Sequence, residues 1–377
     1  MRKEIKHMSK ICIYAICKNE LKFVEQWLEN MSEADYIVVL DTGSTDGTYE
    51  KLQQDPRVTR VEQEVITPWR FDVARNRSMD LIPDDADILV CTDFDELFEP
   101  GWAQFLRDNW VPGYHTRCHY KYAWKHDSLG NNQFVFTYDK IHTKDYHWIF
   151  PVHEVLWQKE PDFIEMVLDA DSNIFLHHWQ DESKSRGNYL DLLHLSCEEN
   201  PNCSHVWSLL TREYVTNEDY KTAIQYGLET LRKPDIDECS DGWVLLQTLY
   251  LVAFSYLKIK NYDEALWYCQ EFIRVNSTYR EPYFIMAQVF NECGVFTMAE
   301  AAALAGFKHT TQKFNWVETS HSWTSEGHAI LGAVYLNLKN YTESAKHLKQ
   351  ALEWEPDNIA LIKQYVTVLE ELIDKIE

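Results

Sequence analysis

Short apolar segments alternate with helix-like segments along the first half of the chain. Strands are predicted over residues 11–16, 36–40 and 87–92, where apolar side chains run without interruption or nearly so. Between the first two strands, residues 21–28 carry apolar side chains at helical spacing. Alternating strands and helices predict a mostly parallel sheet with helices on both faces, which is an α/β domain.

The pattern changes to paired amphipathic helices from about residue 202 onward, and it repeats. A unit formed by Ala253, Tyr256, Ala265 and Phe272 returns 34 residues later as Ala287, Phe290, Ala299 and Gly306. The last copy contains Leu331, Gly332, Tyr335, Ser344, Leu348, Ala351 and Pro356, and an earlier one contains Trp207, Leu210, Tyr214 and Ala223.

A period of 34 residues with small and aromatic residues in register is typical of tetratricopeptide repeats. Four repeats are predicted, stacked into an all-α solenoid whose concave face binds a protein or a peptide, or forms a homodimer. A generic helical bundle is the alternative. With 377 residues in total, the chain is divided into an α/β domain over 1–200 and a repeat domain over 201–377.

Charge and composition exclude several classes of protein. The formal net charge is −24, which argues against a duplex nucleic-acid partner, because phosphates require a basic surface. Apolar runs stay well below the roughly 20 residues of a transmembrane helix, so we expect a soluble, cytoplasmic protein without a transmembrane segment. The nine cysteines contain no C-x-x-C pair and are predicted to be reduced core residues.

The candidate chemistry begins at Asp93-Phe94-Asp95, which follows a predicted strand directly. Two neighbouring carboxylates at a strand end can bind one Mg²⁺ or Mn²⁺, and such an ion commonly bridges to phosphate oxygens. A solvated acidic turn is the alternative for this motif alone.

The order of the motifs makes the metal interpretation more specific. Lys18-Asn19-Glu20 ends the first strand, residues 41–46 end the second, residues 71–76 open a helix, and residues 93–95 end a later strand. Over about residues 9–190 the chain thereby resembles family 2 glycosyltransferases of the GT-A fold, whose sheet is Rossmann-like. With its C-terminal repeats, it is similar to bacterial peptide glycosyltransferases of the sublancin type.

The resemblance implies a set of site residues. Asp93 and Asp95 would bind the metal, and Asp41 would hold the uracil of a UDP-sugar. The nucleotide-sugar site would be completed by Ala15, Cys17, Glu20, Arg75, Asp93 and Phe94. A divalent cation with fixed cationic side chains would stabilise the negative charge that develops on the departing UDP.

Residues 150–155 and 174–179 supply further candidates. Glu154 is the first choice for the base that deprotonates the acceptor, and His153 is either the base itself or the residue that orients Glu154. A structural ion pair is the alternative for this stretch. The resemblance implies that a histidine of the second stretch completes the metal shell beside the acidic motif, and His177, in a strand that ends with two imidazoles, is the candidate.

Two more segments are weaker candidates. Lys184 and Arg186 lie ahead of a predicted helix and would close over the diphosphate as a flap. Residues 119–125 and 138–141 are rich in aromatic side chains, which line the sugar or acceptor site or else simply alternate along a half-buried strand.

The resemblance implies an inverting, metal-dependent transfer from a UDP-sugar, UDP-glucose or UDP-N-acetylhexosamine, to a peptide or protein side chain held by the repeats. A cell-surface glycan or a lipid is the alternative acceptor. An inactive repeat scaffold is the alternative of a different class. Nucleotidyl transfer is discounted because residues 15–20 contain no glycine with which to bind a triphosphate.

Overall fold

The computed structural model describes residues 8–126, 130, 132–180, 189–237, 242–313, 317 and 319–374. The chain divides into two compact units, Met1–Ser196 and Cys197–Glu377. The first is a mixed α/β unit and the second is helical.

Eleven strands are assigned within the described part of the first unit. They are β1 (Ile11–Cys17), β2 (Tyr36–Asp41), β3 (Arg60–Gln63), β4 (Ile88–Cys91), β5 (Glu96–Phe98), β6 (Arg117–His126), β7 (Asn132–His142), β8 (Tyr146–Ile149), β9 (Val155–Gln158), β10 (Val167–Asp169) and β11 (Phe175–His178). The helices are α1 (Val24–Met31), α2 (Thr48–Gln54), α3 (Phe71–Met79), α4 (Trp102–Asn109) and α5 (Tyr189–Glu199), the last of which continues past Ser196.

Nine of these strands form one sheet in the order β3-β2-β1-β4-β7-β6-β11-β5, with β10 paired to β6. Strands β3, β2, β1 and β4 are parallel, and β4–β7, β6–β7 and β11–β5 are antiparallel. The prediction of an α/β fold is therefore confirmed, although the sheet is mixed beyond β4. A separate two-stranded sheet joins β8 to β9.

Both faces of the parallel part of the sheet are buried. Ile11, Ile13 and Ala15 of β1 pack towards one core, and Cys12 and Tyr14 pack towards the other. Because successive side chains of a strand point to opposite faces, the uninterrupted apolar run of β1 is what a sheet covered on both sides requires.

The second unit contains consecutive helix pairs. Its helices are α6 (Ser204–Thr216), α7 (Tyr220–Thr230), α8 (Trp243–Lys258), α9 (Tyr262–Val275), α10 (Glu281–Glu292), α11 (Phe296–Phe307), α12 (Ser320–Trp323), α13 (Glu326–Asn337), α14 (Tyr341–Trp354) and α15 (Ile359–Ile373). The pairs α6–α7, α8–α9, α10–α11 and α13–α14 coincide with the four repeats predicted from the sequence.

Small residues let the helices of this unit approach closely. A Cβ atom on Gly332 of α13 would lie 2.6 Å from Leu348 Cγ of α14, and one on Gly306 of α11 would lie 2.7 Å from Phe284 of α10. Buried residues of α10, α11 and α13 form a single cluster, so each pair completes the core of its neighbour. None of the described helices is long and apolar enough to cross a lipid bilayer.

Candidate nucleotide-sugar site

The ordered motifs meet at one edge of the sheet. Strands β1, β2 and β4 are parallel, so their carboxyl ends, and the polar residues that follow each of them, lie at the same edge. Ligands of open α/β sheets bind outside these ends. Backbone and side-chain hydrogen bonds join the first two loops: Asn19 N–H donates to Ser44 Oγ at 2.8 Å, and Glu20 N–H donates to Thr48 Oγ1 at 2.8 Å.

Asp41 ends β2 and is fully buried. Its Oδ1 accepts hydrogen bonds from the N–H groups of Gly43 at 2.9 Å and Ser44 at 2.8 Å, and from the Gln63 amide at 2.9 Å. Burial opposes the charged form, but the donated hydrogen bonds outweigh it and lower the pKa of Asp41. In this structure its carboxylate orders the loop after β2, and the contact with uracil that the resemblance implies stays a prediction.

Arg75 connects three parts of the chain. Its side chain, 5 % exposed, donates from Nε to Glu154 Oε1 at 2.6 Å and from Nη2 to Asp93 Oδ1 at 2.9 Å. Burial disfavours the charged guanidinium, yet the carboxylates of Asp93 and Glu154 outweigh that cost and raise the pKa of Arg75. The guanidinium is therefore a fixed positive charge within the acidic motif.

The residue after Arg75 explains how α3 is held in place. Asn76 donates from Nδ2 to the Trp148 carbonyl at 2.8 Å and accepts from the Trp148 N–H at 2.8 Å, while Phe71 N–H donates to the Pro151 carbonyl at 2.9 Å. The Ala-Arg-Asn element thereby ties α3 to β8 and to the loop that leads to Glu154.

A second buried cation lies beside the acidic motif. Glu96, 1 % exposed, accepts from Lys140 Nζ at 3.1 Å, from Tyr122 Oη at 2.8 Å and from the Asp93 N–H at 2.9 Å. Lys140 Nζ also lies 3.5 Å from Asp93 Oδ2. Burial opposes its charge, but Glu96 and Asp93 raise the pKa of Lys140. Arg75 and Lys140, in turn, hold the pKa of Asp93 well below its usual range against the opposing effect of burial.

Asp95 is paired with His178. The Nε2 atom of His178 lies 3.6 Å from Asp95 Oδ2, and both side chains are close to one-tenth exposed. His178 Nδ1 lies 3.3 Å from the Trp124 carbonyl, an acceptor only, which places the proton on Nδ1. Burial lowers the pKa of the imidazole, but the carboxylates of Asp95 and Glu96 raise it by more.

From the sequence, His177 was expected beside the acidic motif, but in the structure His178 is the imidazole that lies there. His177 instead contacts Glu99, with Nε2 3.3 Å from Oε1, and His126, with Nδ1 3.0 Å from Nε2. Adjacent residues of a strand point to opposite faces, so only one of the two can lie beside Asp95. His178 is in phase with the buried Leu176, and this alternation could have identified it.

The donor set is compatible with a hard or borderline divalent cation. A metal ion with ligand distances of about 2.0–2.2 Å fits between two donors 3.6 Å apart, and carboxylate with neutral imidazole suits Mn²⁺. Asp93 is 35 % exposed and keeps oxygen surface for a ligand. Among the described residues, no three His, Cys, Asp or Glu side chains are arranged to hold a metal ion, so phosphate or water oxygens would have to complete the shell.

The loop between β8 and β9 carries the two candidate bases. Phe150 has φ +74° and His153 has φ +50°, conformations that non-glycine residues rarely adopt and that often occur at functional sites. The ring of His153 meets the Tyr189 ring edge-on at 5.8 Å. Glu154 is tied to Arg75, so the structural ion pair that the sequence left as an alternative exists.

Some predicted site residues have side chains that face the core. Phe94 stacks on Trp27 with the ring centroids 4.2 Å apart, and Ala15 and Cys17 are buried in β1. Cys17 Sγ donates to Asp41 Oδ2 at 3.4 Å, and Glu20 is buried as well. At these positions, a ligand could be contacted mainly by backbone atoms.

The aromatic stretches are largely internal. Tyr120 and Tyr122 of β6 are buried, and the Tyr122 and Tyr138 rings lie 4.9 Å apart. This agrees with the alternative of a strand with one buried face. The sequence analysis gave Lys140 no electrostatic role. Lys140 is in phase with buried positions of its strand, and a buried lysine needs a carboxylate partner, so this phase could have identified it.

Lys184 and Arg186, the residues of the proposed flap, lie outside the described residues.

One family model matches part of the C-terminal half. The family model of the tetratricopeptide repeat, TPR_2, matches residues 325–358. No curated protein matches the chain.

Several solved structures are similar to this chain. They include the TPR protein TTC0263 of Thermus thermophilus, with 18 % identity over 48 % of this chain and 88 % of that chain at a TM-score of 0.38. The first TPR domain of human RPAP3 is 18 % identical over 36 % of this chain and 97 % of that domain, with a TM-score of 0.31. The TPR domain of Arabidopsis OM64 is 18 % identical over 33 % and 93 %, with a TM-score of 0.28.

The matched residues 325–358 comprise α13 and α14, the helix pair in which the repeat is clearest in the sequence. The small residues at which the paired helices touch are the ones that define the repeat. The C-terminal half of the chain carries tetratricopeptide repeats.

Proposed function

We propose that the protein is a metal-dependent glycosyltransferase of the GT-A type, which moves a sugar from a UDP-sugar to a peptide or protein side chain. The observation that carries the proposal is that Arg75 forms two ion pairs, one with Asp93 and one with Glu154. Glu154 lies 79 residues after Arg75 in the chain. Residues from three separate motifs of the resemblance thus converge on one group at the carboxyl edge of the sheet.

The charges at this edge suit a diphosphate leaving group. Arg75 and Lys140 are cations held in fixed positions, and fixed charges stabilise developing negative charge without the cost of reorienting solvent. Asp95 and His178, with Asp93 beside them, would hold Mn²⁺ or Mg²⁺. Such an ion would supply Lewis-acid stabilisation of the UDP phosphate oxygens.

The residues of the 150–154 loop would handle the proton. In an inverting transfer, the acceptor heteroatom bonds to the anomeric carbon as the bond to UDP breaks, and the acceptor proton passes to a base. Glu154 and His153 are the candidates. The ion pair with Arg75 fixes the position of Glu154, and the left-handed backbone of His153 fixes the direction in which that ring leaves the loop.

The acceptor is assigned from the repeats. Tetratricopeptide solenoids present extended surfaces for peptides and proteins, so a peptidic acceptor is the substrate class that this half of the chain favours. UDP-glucose and UDP-N-acetylhexosamines remain the proposed donors, and a cell-surface glycan or lipid remains the alternative acceptor.

Ligand-induced stabilisation tests the donor site. At a UDP concentration of about 100 Kd with Mn²⁺, linkage adds about 2.7 kcal/mol to the stability of the native state, which raises the melting temperature by about 5 °C or more. We expect this shift in wild-type protein and in Asp162→Ala, which removes an exposed carboxylate outside the site. If neither UDP nor any other nucleoside diphosphate shifted the melting temperature, the assignment of a nucleotide-sugar site would be contradicted.

Substitution of Asp95 tests the metal role. We expect Asp95→Ala to lower donor hydrolysis and sugar transfer by at least about 100-fold, because a lost electrostatic stabiliser of the transition state costs that much. Mass spectrometry after incubation with a panel of UDP-sugars measures both reactions, and thermal denaturation reports whether the fold is retained. Full activity of a folded Asp95→Ala protein would contradict the assignment.

A further inference from the structure

His126 at the end of β6 and His177 in β11 form a pair of imidazoles outside the site described above. The Nε2 atom of His126 lies 3.0 Å from Nδ1 of His177. Because His177 shares a face of β11 with Phe175 and not with His178, the pair points away from the Asp95 side of the strand.

We propose that His126 and His177 bind a late first-row transition metal ion, with Zn²⁺, Ni²⁺ and Cu²⁺ as the class, and that water completes its coordination. Two imidazole nitrogens at about 2.0–2.1 Å from one metal ion, at the angles of tetrahedral or octahedral geometry, are about 2.9–3.4 Å apart. The observed separation of 3.0 Å lies in that interval.

Glu99 supplies the interaction that metal-bound histidines usually have on their other ring nitrogen. Its Oε1 lies 3.3 Å from Nε2 of His177. A carboxylate can only accept there, so the proton of neutral His177 is on Nε2 and the lone pair is on Nδ1, which faces His126. This carboxylate–histidine arrangement fixes the tautomer and increases the donor strength of the ligand.

Aromatic rings hold both imidazoles in place. The His126 ring stacks on Trp179 with centroids 4.1 Å apart and planes 10° apart, and the His177 ring stacks on Phe175 at 4.7 Å and 22°. Rings that are positioned before the ion arrives lose little freedom on binding it. The site is therefore preorganised on two adjacent strands.

The chemistry of the pair separates it from the proposed nucleotide-sugar site. Two imidazoles prefer Zn²⁺, Cu²⁺ or Ni²⁺, whereas a carboxylate-rich site with a diphosphate suits Mg²⁺ or Mn²⁺. A bound ion would link β6 to β11. It would also help to hold Trp179 in place, because the ring of Trp179 stacks on that of His126.

Calorimetric titration of the metal-stripped full chain with ZnCl₂ near pH 7.5 tests the proposal. We expect a saturable zinc-binding event in wild-type protein that is weakened at least 100-fold in His126→Ala and in His177→Ala. Glu99→Gln should weaken it about tenfold, the lower end of the effect of removing an outer-shell partner. Cu²⁺ added to the same proteins should show two coupled nitrogens by electron paramagnetic resonance, and one in each alanine variant.

Two controls locate the ion. His347→Ala disrupts a separate imidazole pair, His328–His347, in the helical unit, and it should leave zinc binding unchanged. In Asp95→Ala any zinc binding at the proposed nucleotide-sugar site is lost, whereas the event assigned to His126 and His177 should persist, which distinguishes the two sites whether or not UDP binds.

Either of two results would overturn the proposal. No zinc binding by wild-type protein would mean that the two imidazoles are joined only by a hydrogen bond. Binding of equal strength in folded His126→Ala and His177→Ala would place the ion elsewhere in the chain. Circular dichroism and melting curves of each variant identify any loss of folding.

Discussion

Two basic residues of the candidate site remain charged although they are buried in the protein. Arg75 and Lys140 are each about 95 % buried, and their cost of desolvation is offset because each contacts carboxylates directly. Removing one member of such a group leaves its partners buried and uncompensated. The acidic motif therefore depends on residues from α3, β7 and the 150–154 loop for its charge state.

His142 gives a pH-dependent prediction at the same scale. Burial lowers the pKa of His142 to about 3, and its Nε2 lies 2.6 Å from Tyr14 Oη. The unfolded chain, with an imidazole pKa of about 6.5, binds the proton first, so stability contributed by neutral His142 is fully present above that value and is lost as pH falls towards 3.

We expect the free energy of unfolding of wild-type protein to fall below pH 6.5 with a His142 contribution of up to about 1.4 kcal/mol per pH unit. Urea denaturation between pH 7 and pH 4 should show a shallower decline for His142→Asn than for wild type. His321→Asn, at an exposed position, serves as the control. Equal slopes in all three proteins would mean that His142 is protonated in the native state.

The sequence did not determine which of two neighbouring side chains faces the site. The resemblance implied an imidazole near Asp95, for which His177 was the candidate, and in the structure His178 lies there. The two residues are identical in type, so only the phase of β11 relative to the sheet distinguishes them. The same limit applies to Phe94, whose ring packs on Trp27 while its neighbours on both sides face the site.

At the level of elements, periodicity predicted the central parallel strands and the helix pairs. The strands over 11–16, 36–40 and 87–92, the helix that begins at Phe71 and the four helix pairs all follow from runs or spacings in the sequence. The antiparallel partners of the sheet were harder to predict, because β6 and β7 are joined along their length by cross-strand pairing that no local pattern encodes. Lys140 is placed beside Glu96 by that pairing.

Gly332 tests the packing of the last matched repeat. A Cβ there would lie 2.6 Å from both Cγ and Cδ2 of Leu348. We expect Gly332→Ala to destabilise the helical unit by about 1–3 kcal/mol through overpacking, although alanine favours helix by about 1 kcal/mol over glycine. Urea denaturation followed by circular dichroism measures the change.

A double-mutant cycle provides the control for this prediction. In a Leu348→Ala background the clash is removed, so adding Gly332→Ala should become neutral or stabilising. If Gly332→Ala destabilises both backgrounds equally, the close approach of α13 and α14 is not the cause.

The whole molecule is defined by a large negative charge and two different architectures. The net charge of −24 arises from 60 acidic and 36 basic side chains, and two of the basic ones, Arg75 and Lys140, form ion pairs with the acidic motif. Repulsion among the remaining carboxylates destabilises a compact state. The match to the tetratricopeptide repeat model covers residues 325–358 of the helical unit, and the chemistry is proposed for the α/β unit alone.

Ionic strength should therefore change stability in a defined direction. Between about 0.01 M and 0.15 M NaCl the Debye length falls from about 30 Å to about 8 Å, which screens repulsion among exposed charges. We expect the melting temperature to rise over this range and then to level off, while an equal osmolality of sucrose does not reproduce the early rise. A melting temperature that falls with added salt would mean that attractive surface ion pairs dominate.

The sequence by itself determined the α/β and helical-repeat halves, the strand ends at which polar residues collect, and the repeat that the family model matches. These features depend on periodicity and local turn chemistry, which are properties of neighbouring residues. Only the tertiary structure decided which side chains meet: Arg75 with Asp93 and Glu154, Lys140 with Glu96, His178 with Asp95, and His126 with His177. Such contacts depend on sheet order, strand phase and burial, which arise when distant segments pack together.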